Sequence, residues 1–140
     1  MGRILAVDYG AKRVGLAVTD PLKIIATALD TVHSKDVLDY LSNYTNNEEV
    51  EAFVVGSPSK LSGEDTNATH LVNIFVKHLK KKFPEIPIHL HDERFTSKMA
   101  LQAMIAGGSK KKDRQNKGNI DKVSAVIILQ SYLESISNSF

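Results

Sequence analysis

A chain of 140 residues, 42% hydrophobic and 24% charged, has the size and make-up of one globular domain. It is too short for two nucleotide-clasping lobes, and with no cysteine it cannot carry a disulfide framework, a thiolate metal site or a cysteine nucleophile. The net charge of +2, from 18 Lys+Arg against 16 Asp+Glu, does not by itself point to nucleic acid.

The elements follow in order. Ile4 to Val7 is a short apolar run ending in Asp8-Tyr9-Gly10, and Val14 to Val18 is a second. Two such runs joined by Gly10-Ala11-Lys12-Arg13 read as an antiparallel hairpin. Pro21 ends the second strand, and Ile24 to Val32 supplies a third, at the edge. Lys35 to Tyr44 places Val37, Leu38 and Leu41 at helical spacing, with Asn46-Asn47 as the stop. Ala52 to Val55 is a buried strand ended by Gly56-Ser57-Pro58. Glu64 to Phe83 is an amphipathic helix whose last turn holds Lys80, Lys81 and Lys82, favourable to the helix dipole. Ile86 to Leu90 forms a strand running into His91-Asp92-Glu93-Arg94. Thr96 or Ser97 caps a helix through Ile105, stopped by Gly107-Gly108, and Ser109 to Gly118 reads as a polar, basic loop. Asn119 then caps a largely buried helix from Ile120 to about Ser135. The strand–helix–strand crossovers imply a parallel set with an antiparallel extension, so the expected fold is a single three-layer α/β domain over residues 1–140 with a mixed sheet.

No apolar stretch reaches the ~20 residues that span a bilayer or forms a signal peptide, which needs about 7–15. The expectation is a soluble cytoplasmic protein without a membrane partner. Charge is unevenly spread along it. Residues 1–74 carry six basic and ten acidic side chains, whereas residues 75–122 carry twelve basic and five acidic, a net of +7. That basic stretch, with Lys110-Lys111-Lys112 and Arg114, has the character of a phosphate-binding surface, although either lysine run alone is equally a solvated helix end or loop.

Asp8 follows the first strand, Asp92 and Glu93 end the last strand, and Asp121 opens the last helix. Ligand sites of parallel α/β sheets lie beyond the carboxyl ends of the strands, where these acids would meet. Singly, Asp121 is a helix N-terminal acid, Asp8 a turn former, and Asp92 or Glu93 an ion-pair partner of Arg94. Gathered, they repel one another unless a cation sits among them, and an oxygen-only set suits Mg2+ or Mn2+ rather than zinc. His89 and His91 share a strand face, but His89 falls in an apolar run and reads as core or edge packing. There is no P-loop.

Four segments together carry a resemblance: Val7-Asp8-Tyr9-Gly10 with Arg13 to Ala17, Val54 to Pro58, Asp92-Glu93-Arg94-Phe95-Thr96, and Ile120-Asp121 leading to Ile128-Leu129-Gln130-Ser131-Tyr132-Leu133. In this order the chain, from Arg3 to about Leu133, resembles the YqgF nuclease family, also described as Holliday-junction-resolvase-like, on the ribonuclease H fold. The resemblance implies a five-stranded mixed sheet of order 3-2-1-4-5 flanked by helices, with a divalent-metal nuclease centre. It assigns the catalytic acids to Asp8, Glu93 and Asp121, and the reaction to 5′ maturation of pre-16S ribosomal RNA or to cleavage of four-way DNA junctions. Ser57, Phe95, Ser97 and Lys122-Val123-Ser124 depart from the commoner family residues without removing a carboxylate.

The expected mechanism is phosphodiester hydrolysis with two divalent ions held by Asp8, Glu93 and Asp121, with Asp92 as a further ligand candidate. Lys12, Arg13, Arg94, Lys110, Lys111, Lys112 and Arg114 would bind phosphates. The expected partner is nucleic acid, structured RNA ahead of a four-way junction, and the expected state a monomer or weak homodimer. Two rival readings are an ATP-binding protein, from Asp8-Tyr9-Gly10 followed by Gly15, and a non-catalytic nucleic-acid module.

Overall fold

The computed structural model describes residues 2–57, 67–92 and 117–137. Its strands are β1 (Arg3–Tyr9), β2 (Arg13–Thr19), β3 (Ala26–His33), β4 (Val50–Ser57) and β5 (Ile88–Asp92), and its helices α1 (Val37–Asn47), α2 (Asn67–Lys82) and α3 (Lys117–Ser137). The sheet order is β3-β2-β1-β4-β5. β2 runs antiparallel to both β1 and β3, while β1, β4 and β5 are parallel. This is the five-stranded mixed sheet that the resemblance implies. Among the described residues no helix is long and apolar enough to cross a membrane.

Strand alternation divides the core by residue size. On one face Leu5, Val7, Val14, Leu16, Phe53 and Val55 pack against Val37 and Leu41 of α1 and Val72, Phe75, Val76 and Leu79 of α2. On the other face Ile4, Ala6, Ala17, Ala52 and Val54 meet Ala125, Ile128 and Leu129 of α3. The three small sheet residues, Ala6, Ala17 and Ala52, leave room for α3 to pack closely on the strands.

Several element boundaries move, for local reasons. The third strand begins at Ala26 rather than Ile24, because the N–H groups of Leu22, Ile24 and Ile25 donate to the Asp20 carboxylate (3.2, 2.8 and 2.8 Å) instead of joining the ladder. Those backbone donors, Ile25 first, hold the Asp20 carboxyl below its ordinary value, and Lys23 takes a φ of 60° to complete the loop. β5 begins at Ile88, because Ile86 N–H closes a turn on Phe83 O (3.2 Å) and Pro87 has no N–H to give; pairing with β4 starts where Phe53 N–H donates to Pro87 O (2.9 Å). The last helix begins at Lys117, so Lys117 and Gly118 are helical rather than loop and Asn119 is not its cap. Glycine costs a helix only about 1 kcal/mol, which tertiary docking of the following turns outweighs. The helix expected from Thr96 to Ile105 and the loop from Ser109 to Asn116 lie outside the described residues.

Candidate active site

The carboxyl ends of β1, β4 and β5 lie together at one edge of the sheet. Val7 is level with Val55, so Asp8 is level with Gly56, and Gly56 pairs with His91. On the other side Asp8 pairs with Gly15 of β2, which pairs with Thr31 of β3. One row across the sheet therefore reads Thr31, Gly15, Asp8, Gly56, His91. Asp8 is half-buried, and alternation after Ile4 and Ala6 puts it on the face that α3 covers. Tyr9 goes to the opposite face, where its ring stacks on Phe75 at 4.4 Å.

Both strands that neighbour Asp8 thus offer a glycine at its level. With no side chain at these two positions, a group that approaches the Asp8 carboxylate can also lie close to the backbone of both neighbouring strands. From the sequence, Gly56 is a glycine that lets backbone approach closely and Gly15 enters only the ATP-binding reading; that both stand level with Asp8 follows from the strand register. Gly10 has a different task. Its N–H donates to Arg13 O at 3.0 Å, and a Cβ there would lie 2.7 Å from that same oxygen. The tight turn it permits holds Lys12 and Arg13 exposed at the same edge as Asp8. Ser34 braces this turn, its N–H donating to Lys12 O (3.1 Å) and its hydroxyl to Ala11 O (2.7 Å).

The other expected residues are placed less fully. Asp92 is the last residue of β5 and pairs with Ser57. Asp121 is in α3, four, seven and eight positions before Ala125, Ile128 and Leu129, all three of which face the sheet. With the helix starting at Lys117, Asp121 belongs to its second turn, and the first turn contains no acid. The reading of Asp121 as a first-turn acid is corrected accordingly; dipole stabilisation falls off beyond that turn and does not account for it. Glu93, Arg94, Lys110, Lys111, Lys112 and Arg114 lie outside the described residues. Among the described residues no three side chains of metal-ligating type converge.

His91, which the sequence places beside the candidate site, stands on this row. Its Nε2 lies 2.8 Å from Ser131 Oγ of α3, and its ring stands edge-on to Tyr132, centroids 6.3 Å apart at 87°. His89, on the same strand face, stacks on Tyr132 at 5.6 Å and 29°. β5 is an edge strand, and His89 on it is exposed rather than part of the core.

The basic block is divided by the fold. α2 runs back from the carboxyl end of β4 to the amino end of β5, so Lys80, Lys81 and Lys82 stand at the edge opposite Asp8. A helix of 16 residues is about 24 Å long, which separates the triplet from the site. Also at that far end is a groove of about 320 Å3 lined by Arg3, Thr19, Asp20, Tyr44 and Glu48, among others.

Residues 2–135 match the profile of the RuvX family, described as Holliday junction resolvase. The chain belongs to this family. It is the family that the motifs resemble under the name YqgF. A relative from Amoebophilus asiaticus, provisionally named a pre-16S rRNA nuclease, is 51% identical over 140 residues, covering 100% of this chain and 99% of its own. One of the same name from Phocaeicola vulgatus is 53% identical over 135 residues, 96% of this chain and 97% of its own. In fold, RuvC from T. thermophilus, solved with a Holliday junction substrate, superposes with a TM-score of 0.57 at 16% identity, covering 97% of this chain and 96% of that one. The Fowlpox virus resolvase, in complex with Holliday junction DNA, gives a TM-score of 0.63 at 13% identity over 96% and 98% of the two chains. At such identities the RuvX chain shares with them the ribonuclease H-like architecture.

Proposed function

We propose that this RuvX protein is a nuclease that hydrolyses phosphodiester bonds at the carboxyl edge of its sheet and matures the 5′ end of pre-16S ribosomal RNA. The observation that carries the site is Asp8, half-buried on the α3 face and flanked on both neighbouring strands by glycine. The substrate follows from the relatives named as pre-16S rRNA nucleases, about half identical over essentially the full chain. The place of action would be the cytoplasm.

Asp8 is a hard oxygen donor flanked by glycine on both neighbouring strands, and this donor type fits a divalent cation such as Mg2+ or Mn2+. Bound there, such ions, two in this reading, supply an activated water and charge stabilisation at the leaving oxygen. Asp8 would anchor them, with Glu93 and Asp121 completing the ligand set and Asp92 as a further donor. Lys12 and Arg13 on the braced turn would hold substrate phosphates, together with Arg94, Lys110, Lys111, Lys112 and Arg114.

Four-way DNA junction cleavage is the second reading, favoured by the family's description and by the junction complexes of the two resolvases. A resolvase cuts two strands symmetrically and calls for a two-fold dimer, so finding a monomer in solution would favour RNA. The test compares wild type and Asp8→Asn on a pre-16S 5′ leader and on a four-way junction, with the cation varied. The expected result is Mg2+- or Mn2+-dependent cutting of the leader that Asp8→Asn abolishes. Wild-type activity in Asp8→Asn would overturn the site, and preferential junction cleavage would overturn the substrate.

A further inference from the structure

We infer that the His89–Tyr132 pair is a stacking platform for an unpaired nucleobase of the substrate strand. The inference rests on the nuclease reading of the neighbouring edge and narrows its substrate to nucleic acid with a single-stranded stretch beside the cut.

The platform is built from two elements. His89 stands on β5, the edge strand of the sheet, and is exposed, and among the described residues no further strand lies beyond it. Tyr132 backs it from α3, the two rings 5.6 Å apart and 29° from parallel. Tyr132 is half-buried against the alanine-lined core and meets His91 edge-on. The 2.8 Å bond between His91 Nε2 and Ser131 Oγ ties the same helical turn to the same strand. The pair is therefore held in place before any ligand arrives, which lowers the ordering cost of binding.

Docking of α3 does not require this arrangement. Ala125, Ile128 and Leu129 are fully buried against the sheet and already fix the helix. An imidazole left in solvent on top of a tyrosine adds little to that core, but it presents a flat π-face. Bases stack on such faces whatever their identity, provided their own faces are not covered by pairing and stacking in a duplex. The position suits a substrate strand. His89 lies two strands across from the Asp8 row and two residues back along β5, on the same face of the sheet. At strand spacings of ~4.8 Å and ~3.3 Å per residue this is about 12 Å from Asp8. A base on the platform therefore belongs to a nucleotide a short step from the scissile phosphate.

The test uses the full chain carrying Asp8→Asn and single-stranded RNA with 2-aminopurine at one position at a time. The expected result is fluorescence quenching at one position near the cleavage site. His89→Ala should remove it and raise Kd roughly tenfold, His89→Phe should restore both, and His89→Leu should not. The same RNA annealed to its complement should show neither the quenching nor the sensitivity to position 89. RNA that binds with no position-specific quenching, or with Kd indifferent to His89→Ala, overturns the platform and leaves the nuclease reading intact. A chain that binds no nucleic acid overturns both. His89 is exposed, so circular dichroism of each variant is expected to match the parent.

Discussion

Ser124 is buried to 1% exposure in the seam between α3 and the sheet, and its hydroxyl finds no hydrogen-bond partner. The apolar cluster on this face includes four alanines, Ala6, Ala17, Ala52 and Ala125. A buried hydroxyl without a partner costs about 1–3 kcal/mol. Ser124→Ala is therefore expected to stabilise the protein by about 1 kcal/mol in urea unfolding, with cleavage unchanged. A loss of stability would mean that the hydroxyl is bonded in solution. Thr19 shows the opposite case in the same core: also fully buried, its Oγ1 accepts the Ile4 N–H at 2.9 Å, so its polarity is used.

At the scale of the element, β4 alternates between two jobs. Phe53 and Val55 fill the core under α1 and α2, while Ala52, Val54 and Gly56 face α3, and Gly56 alone is level with Asp8. Substitutions on one strand face should then separate stability from activity. Val54→Ala opens a cavity under α3 and is expected to cost about 2 kcal/mol, while leaving cleavage per folded molecule near wild type. Gly56→Ala places a methyl group beside the Asp8 carboxylate; it is expected to lower cleavage at least tenfold while leaving the unfolding midpoint closer to wild type than Val54→Ala does. Unfolding curves and cleavage rates on both variants check this, and equal activity in the two would remove Gly56 from the site.

Across the whole molecule, charge and chemistry are arranged by edge rather than by segment. Lys12 and Arg13 belong to the acidic first half of the chain yet flank Asp8, whereas Lys80, Lys81 and Lys82 belong to the basic block and stand at the opposite edge. Each phosphate contact contributes roughly 0.7 to the slope of log affinity against log salt for a single strand. The double variant Lys12→Gln/Arg13→Gln is expected to reduce that slope by about 1.4, and the triple lysine-to-glutamine variant of α2 to leave it unchanged. Filter binding of RNA over a salt series measures both. A larger effect from the triplet would put the substrate on the other edge.

Local pattern was enough for the elements and their layers, because apolar period and turn chemistry act over a few residues. The hairpin at Gly10–Arg13, the crossover helices and the acids at strand ends were all legible in this way, and the linked motifs gave the family. The missed boundaries have particular causes. Asp20 takes the N–H groups that would have extended β3, Pro87 and Phe83 absorb the start of β5, and docking of α3 carries its helix back through Gly118. The level pairing of Gly15 and Gly56 with Asp8, the bond from His91 to Ser131 and the exile of the lysine triplet were decided only by the tertiary structure. They join residues 7 to 48 positions apart, and such proximity depends on sheet order and register, which are set by packing of the whole chain rather than by any one segment of it.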